Sequence, residues 1–399
     1  MVTRDDAYPI LDPATVGGHP KLVLMVTAEM TALTFYRGYV RFLTDLGWEV
    51  IVVCRSAGKL EAWAKGEGGT GVSVPFVREP SPWADLKALL AVIRLLRRIR
   101  PSVVVTATPK AGLLGTLGAL IAGVPVRQYQ LWGLRLETER GSKRQILHFL
   151  EKTAIWSSTQ TLANSRSLAN RAEDLNLVRA GKVEVLGDGS SHGVDVEYFD
   201  RGVVIPAVEA LEEFVERVKP ELTVVYIGRL ARDKGMDTLM EALTKCASDG
   251  RRVAAVIVGG VEHVEVEELL KAQTGVDLFM AGAVDDVRPY IKAADVLCLP
   301  TLREGFPNVV LEAAAMQVPA LVTDATGAVD SVIDEETGLV FPVGDAHALA
   351  VHLVRLIDSP KLINEMGYAA RKRAVTRFSK RRIHHLQASN LKDLHEAVC

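Results

Sequence analysis

Downstream of the apolar run Val296 to Leu299 the chain reads Arg303, Glu304, Gly305, Phe306, Pro307, Asn308, Val309, Val310, Leu311, Glu312. Residues of these types at this spacing could hold a phosphorylated ligand. The order is strand, tight loop, helix start. Gly305 permits close backbone approach, Pro307 suits a first helical position, and the unpaired N–H groups of a first helical turn form a ready site for a phosphate oxygen. Glu312 stands four residues beyond Asn308, so both side chains lie on one face near the helix mouth, where a carboxylate can accept two hydrogen bonds from a ribose diol. Glu304, ahead of the helix, would point at whatever precedes the phosphate. The plainer reading makes both glutamates first-turn carboxylates favoured by the helix dipole, worth only a few tenths to about 1 kcal/mol.

A second signal follows the apolar run Leu222 to Ile227, where Gly228, Arg229, Leu230, Ala231, Arg232, Asp233, Lys234 and Gly235 place Arg229 and Lys234 five residues apart in a loop before a helix. Parallel α/β sheets bind ligands at the carboxyl ends of their strands, and two cations there can neutralise a diphosphate. A solvated basic loop is the competing reading. Other chemistries lack their signatures. Thr27, Ala28, Glu29 and Met30 follow the run Leu22 to Val26 where a dinucleotide fingerprint needs closely spaced glycines, which disfavours hydride transfer. Gly66, Gly68 and Gly71 match that fingerprint in spelling but sit between helix and strand, and read as a flexible turn. The chain has no Walker loop, H-E-x-x-H or D-x-D pair.

These loops need a frame that gathers strand ends. Strands are predicted at Leu22 to Val26, Val50 to Val53, Val72 to Phe76, Val103 to Val105, Thr161 to Ala163 and Val183 to Leu186. The pattern restarts at Leu222 to Ile227, Ala254 to Val258, Leu278 to Met280, Val296 to Leu299, Ala320 to Val322 and Leu339 to Phe341. Amphipathic stretches separate most of them, which is βαβ logic and predicts two parallel-sheet halves joined between Asp195 and Pro206. The 399 residues suit two domains at roughly 150 each. With 48% hydrophobic and 24% charged residues the chain has the balance of a soluble α/β or α-helical protein, and a formal charge of -2 excludes a uniformly basic nucleic-acid binder. Cys54, Cys246, Cys298 and Cys399 have neither metal nor disulfide spacing, so a reducing cytoplasm is the default. The start of the chain has no signal-peptide pattern and is expected to be a loose arm. The uncharged run Ala111 to Val126 is too glycine-rich and short for a bilayer span of ~20 residues, and reads as a buried helix.

With these residues the sequence resembles the retaining glycosyltransferases of family 4, whose signature is two glutamates with seven residues between them, here Glu304 and Glu312. Gly228 and Arg229 with Lys234, the Glu304 to Pro307 run, Ala328 to Ile333, and Thr337 to Val340 extend the resemblance over almost the whole chain. Thr108 to Gly112 and Gly189 to Asp195 look like the branch that builds capsular, exopolysaccharide and lipid-linked oligosaccharide chains. The resemblance implies a GT-B fold: two Rossmann-like α/β parallel-sheet domains facing across a cleft. The expected layout is a flexible arm at 1–20, an acceptor domain at 21–200, a nucleotide-sugar domain at 201–375, and a helix at 376–399 crossing back to the first domain.

By position, the resemblance gives Arg229 and Lys234 the donor diphosphate, Glu312 the ribose, and Glu304 a hydroxyl of the transferred sugar. Glu304, Arg229 and Lys234 form the catalytic set. Gly228, Val284, Gly305, Phe306 and Asn308 complete the donor site, with Val284 near the base. On the acceptor side stand Glu29, Lys110, Trp132, Arg135 and His192. No histidine occupies the loop Gln130 to Arg135, where many relatives have one; Trp132 either stacks on a sugar or belongs to the core, and the role of Arg135 stays open. The implied reaction moves a hexose or N-acetylhexosamine from a nucleotide diphosphate sugar, UDP foremost, with prepositioned cations and a helix N-terminus taking the charge of the departing diphosphate. No metal or other cofactor is implied, and no nucleic-acid partner. A nucleotide-sugar 2-epimerase, a non-catalytic nucleotide-sugar sensor and transfer to a soluble small molecule are the alternatives.

Charge asymmetry adds a partner. Residues 81–160 hold 12 Lys or Arg against 4 Asp or Glu, and residues 371–392 hold 8 basic and no acidic residues. Over Asp85 to Arg100, Leu86, Leu89, Leu90, Ile93, Leu96 and Ile99 mark an apolar face, and Lys87, Arg94, Arg97, Arg98 and Arg100 supply charge. The two readings are a Rossmann helix with a solvated face, and peripheral docking on anionic lipid at the inner face of the plasma membrane, within reach of a lipid-linked acceptor.

Overall fold

The computed structural model describes residues 19–77, 81–272 and 275–398, so the arm expected at 1–20 lies, except for His19 and Pro20, outside the described residues. The chain divides into unit 1, residues 1–192 with 381–399, and unit 2, residues 193–380.

Unit 1 runs β1 (Lys21–Ala28), α1 (Glu29–Phe35), α2 (Tyr39–Asp45), β2 (Glu49–Arg55), α3 (Leu60–Gly66), β3 (Thr70–Ser73), α4 (Pro82–Ile99), β4 (Val103–Ala107), α5 (Pro109–Ala122), β5 (Val126–Leu131), α6 (Gly141–Ser157), β6 (Gln160–Ala163), α7 (Arg166–Asp174) and β7 (Val183–Glu184). Its seven strands pair in parallel in the order β3-β2-β1-β4-β5-β6-β7. Strands covered on both faces read as unbroken apolar runs, and β1 divides its side chains accordingly. Leu22, Leu24 and Val26 face one buried cluster, and Val23 and Met25 face another.

Strand β5 has no counterpart among the predicted strands. Its sequence, VRQYQL, places Gln128 and Gln130 where β-branched residues signal a strand. Both amides are buried, and a ladder satisfies them: Gln128 Nε2 donates to Gln160 Oε1 at 2.8 Å and to Asn390 Oδ1 at 2.9 Å, and Gln130 Nε2 donates to Gln128 Oε1 at 3.2 Å. Buried polar groups with such partners cost little. At the other edge β3 ends at Ser73, short of the predicted Phe76.

Unit 2 runs α8 (Glu209–Val218), β8 (Leu222–Ile227), α9 (Met236–Ser248), β9 (Val253–Val258), α10 (Val264–Lys271), β10 (Asp277–Gly282), α11 (Arg288–Lys292), β11 (Val296–Leu299), α12 (Asn308–Ala315), β12 (Ala320–Thr323), β13 (Gly338–Phe341), α13 (Ala346–Asp358) and α14 (Pro360–Phe378). Its six parallel strands lie in the order β10-β9-β8-β11-β12-β13. Helix α15 (Lys380–Glu396) then carries the chain into unit 1, where Ala388 and Leu391 join the cluster on the Leu22 face of the sheet.

Strand order reverses direction between β1 and β4 in unit 1 and between β8 and β11 in unit 2. These are the topological switch points at which open α/β sheets bind ligands. Among the described residues no helix is long and apolar enough to cross a membrane.

In the basic run at 371–392, Arg371 and Arg373 are used within unit 2, while Lys372, Arg377 and Arg381 stay exposed. Arg371 Nη2 pairs with Asp200 Oδ2 at 2.5 Å, and Arg373 donates to the carbonyls of Ser331 and Asp330 at 2.6 and 2.8 Å while lying over the Phe378 ring. These guanidiniums cap unit 2 carbonyls and a carboxylate, and unit 2 runs on to Lys380, past the boundary expected at 375.

Candidate active site

In unit 2 the loops after β8 and β11 leave adjacent strands at the switch point, and their sequences bring them together. Gly235, at φ +66°, opens α9 where an added Cβ would stand 1.8 Å from the Pro300 carbonyl oxygen. Only glycine lets the two loops touch there. The Asp233 carbonyl then accepts from the Leu302 N–H at 3.0 Å and the Thr301 hydroxyl at 3.1 Å.

Two ion pairs cross this seam. Lys234 Nζ stands 2.5 Å from Glu304 Oε1, and Arg303 Nη2 stands 2.8 Å from Asp233 Oδ2, all four side chains being largely shielded. Three of the predicted residues, Lys234, Glu304 and Gly305, thus meet at one place. Asp233 and Arg303 were not singled out as site residues, since pairing across 70 positions leaves no local periodicity.

Arg229 is held differently. Its guanidinium pairs with Glu262, a residue the sequence reading did not single out, which follows β9. The buried Tyr226 hydroxyl donates to the Arg229 carbonyl at 2.8 Å, and the Gly228 N–H donates to the Val258 carbonyl at 2.9 Å. Burial, and then the Glu304 charge, push the Tyr226 phenol up, so it remains a donor.

Helix α12 starts at Asn308 with Pro307 as its cap, one residue ahead of the helical position expected for that proline. The loop before it is pinned from behind: the Glu304 N–H donates to the Thr326 carbonyl at 2.8 Å, and Gly327 packs against the Glu304 and Gly305 carbonyls. Phe306 is buried with its ring 5.3 Å from Phe378. Among the described residues the N–H groups of Gly305 and Phe306 find no hydrogen-bond acceptor. Unpaired donors beside a helix entrance suit an oxyanion.

Glu312 lies one turn into α12. Burial pushes its carboxyl up to about 7, and no hydrogen bond or ion pair reaches it among the described residues. A desolvated carboxyl without partners is costly unless a ligand supplies them. Val284, after β10, packs its side chain against the unit 2 core.

In unit 1 the switch-point loops follow β1 and β4. Thr108 has φ +68°, a strained setting for a β-branched residue, and its hydroxyl lies 2.7 Å from the Thr27 hydroxyl. Lys110, in the first turn of α5, pairs with Asp85 at 2.7 Å. Glu29 is used internally. Its Oε2 accepts from Ser56 Oγ and from the N–H groups of Ala57, Lys59 and Leu60 at 2.8 to 2.9 Å. Burial opposes ionisation, but these donors together hold the carboxyl below its usual range, so Glu29 caps the entrance of α3.

Trp132 stacks on Phe35 with ring centroids 4.5 Å apart, and His192 meets the same Phe35 edge-on at 4.8 Å. Phe35 was not anticipated. The shielded Trp132 Nε1–H finds no acceptor among the described residues. Arg135 opens a short 3-10 turn and is exposed to solvent.

Two parallel-sheet α/β units, one with cations, glutamates and a helix entrance gathered at its switch point, define the GT-B class. The family described as glycosyl transferases group 1 matches residues 208–373, and the glycosyl transferase 4-like domain matches residues 33–189. A capsular polysaccharide biosynthesis glycosyltransferase of Staphylococcus aureus, CapM, is 32% identical over 362 residues, covering 90% of this chain and 93% of that protein. The UDP-Gal:alpha-D-GlcNAc-diphosphoundecaprenol alpha-1,3-galactosyltransferase of Escherichia coli is 25% identical over 346 residues, covering 83% and 86%. Among solved structures, Anabaena HepE in complex with UDP matches with a TM-score of 0.74 at 18% identity, over 94% of this chain and 100% of that one. The chain belongs to the family 4 glycosyltransferases, and it is a glycosyltransferase of the polysaccharide-biosynthesis type.

Proposed function

We propose that the enzyme transfers a hexose or N-acetylhexosamine, with retention of configuration, from a UDP-sugar to a hydroxyl of a lipid-linked acceptor, without a metal. The Lys234–Glu304 pair at the mouth of α12, 2.5 Å apart, is the observation that carries this reading. A diphosphate entering there takes Lys234 as its counter-ion, releasing Glu304 to accept from a sugar hydroxyl. Arg229 and the N–H groups of Gly305 and Phe306 add positive potential where the bond from the anomeric carbon to the phosphate oxygen breaks. Charge that develops on that oxygen meets donors already in place, which is the efficient form of electrostatic catalysis. Glu312, desolvated and without partners, is suited to the ribose diol.

The E. coli relative's name joins a UDP-sugar donor to a diphosphoundecaprenol acceptor, which supports both donor and acceptor, and the HepE structure holds UDP, which supports the donor. On the acceptor side Trp132 and His192, gathered round Phe35, would meet the incoming saccharide, and Lys110 and the strained Thr108 would stand nearby. The test is thermal unfolding with UDP, with and without chelator. UDP at a hundredfold excess over its dissociation constant should stabilise the protein by about 2.7 kcal/mol in both cases. Loss of the effect on adding chelator would refute the metal-independent site.

A further inference from the structure

Helix α5 packs between α4 and α6 on one face of the unit 1 sheet. It is rich in glycine, lies close on the sheet, and shows Ile121 as its exposed large apolar side chain. The outer surface therefore belongs mainly to α4 and α6.

On α4 the sequence reading separated an apolar face from a basic one, and the structure merges them in part. Trp83, Leu86 and Leu90 are exposed, at 79%, 47% and 40%. At 3.6 residues per turn they continue as one stripe into Arg94, Arg97 and Arg98. The inward face is built by Ala88, Val92, Ile93 and Leu96 instead. On α6, Phe149 and Trp156 are 68% and 71% exposed, two turns apart on one stripe, with exposed Lys152 between them. Ile146 stands one turn before Phe149 and is also exposed.

Neither helix itself contributes a free acid, and Glu173, Asp174 and Glu184 line the cleft that Lys152 and Trp156 border on the α7 side. Asp85 of α4 is paired with Lys110, and Glu151 of α6 is buried, accepting from the Tyr129 hydroxyl at 2.8 Å. Scattered exposed apolar residues need no explanation, but rows of them on the two helices that flank α5 do. A second copy of the chain is a poor occupant, since a twofold contact would set these basic rows against each other. A surface that mixes Trp and Phe with Arg and Lys matches the boundary of an anionic bilayer, where the rings sit at headgroup level and the cations meet lipid phosphates.

We propose that the outward faces of α4 and α6 seat unit 1 on an anionic lipid bilayer, held by inserted aromatic side chains as well as by charge. This deepens the lipid-linked acceptor reading and rests on it for its purpose.

The test uses the full chain with vesicles of phosphatidylcholine alone or with roughly one third phosphatidylglycerol. Binding to the anionic vesicles should weaken as salt rises toward about 1 M, where screening reaches ~3 Å, yet leave a measurable remainder. The F149S/W156S variant should bind at least about tenfold more weakly at low salt and lose the remainder. The R94Q/R97Q/R98Q variant should lose binding at low salt and keep the remainder, since one basic residue near the surface is worth about 1 kcal/mol, or roughly fivefold. Wild-type binding by F149S/W156S, or binding indifferent to lipid charge, would overturn the proposal. So would a solution dimer that this substitution dissociates. The UDP thermal shift, measured on the same samples, shows that each variant is folded; its failure in the wild type would strike the donor site and leave the vesicle result standing.

Discussion

Replacing Glu312 by glutamine tests the donor site through two effects of opposite sense. Burial holds the Glu312 carboxyl at about 7 against an ordinary 4.5. One pKa unit is about 1.4 kcal/mol, so ionising this group in the folded protein costs about 3 kcal/mol. Because the folded value is raised, the stability is fully present below about pH 4.5, falls as pH rises, and is gone above about 7. Glutamine has the shape of the protonated acid and does not titrate. The E312Q protein should therefore match wild type near pH 4.5 and exceed it by about 3 kcal/mol at pH 8, measured by urea unfolding. Glu151, also buried and raised to about 7, is common to both proteins and cancels in the difference. UDP affinity should move the other way. A ribose diol donates to the charged carboxylate, so wild-type affinity should climb through pH 7 in calorimetric titration, while E312Q binds about tenfold more weakly with a flat profile. Parallel stability profiles for the two proteins would refute the desolvated carboxyl, and unchanged UDP affinity in E312Q would refute the ribose contact.

The Glu304→Ala enzyme should bind UDP within about threefold of wild type, since the substitution frees Lys234 from its 2.5 Å partner, while turnover falls about a hundredfold or more. Steady-state kinetics beside UDP titration read the two separately, and small equal losses would favour the helix-dipole reading. Gly235→Ala should destabilise unit 2 by about 3 kcal/mol in thermal unfolding, because a Cβ would overlap the Pro300 carbonyl at a positive φ. A loss under about 1 kcal/mol would mean that the seam between the two loops yields easily.

Legibility in the sequence followed the range of the forces involved. Strands β8 and β11 match their predicted bounds, because a strand buried on both faces reads as a mostly apolar run whatever lies beside it. Strand β5 escaped because its amides are satisfied by Gln160 and by Asn390, the latter more than two hundred residues away in α15. The same distance hid the ion pairs. Nothing near Asp233 announces Arg303, and nothing near Arg229 announces Glu262. Helix α4 failed in another way: hydrophobic periodicity identifies an apolar stripe, but not whether the protein or something outside it covers that stripe.

The candidate donor site could be read early because its logic is short-ranged at each end. A loop after a parallel strand, cations or a helix entrance in that loop, and a ligand at the strand's carboxyl end can all be inferred within ten residues. Strand order was the missing element. In the order β9-β8-β11-β12, β8 and β11 are neighbours whose following loops leave on either side of a reversal, and this lets Lys234 reach Glu304 across 70 residues of sequence. The acceptor side shows the converse. Glu29 and Lys110 follow β1 and β4, also neighbours at a reversal, yet the first caps α3 and the second binds Asp85. Position at a switch point thus brings residues together, and what they do there depends on which partners the fold has already supplied. By that criterion Glu312, desolvated and without a partner among the described residues, is the group in unit 2 with most to gain from a ligand.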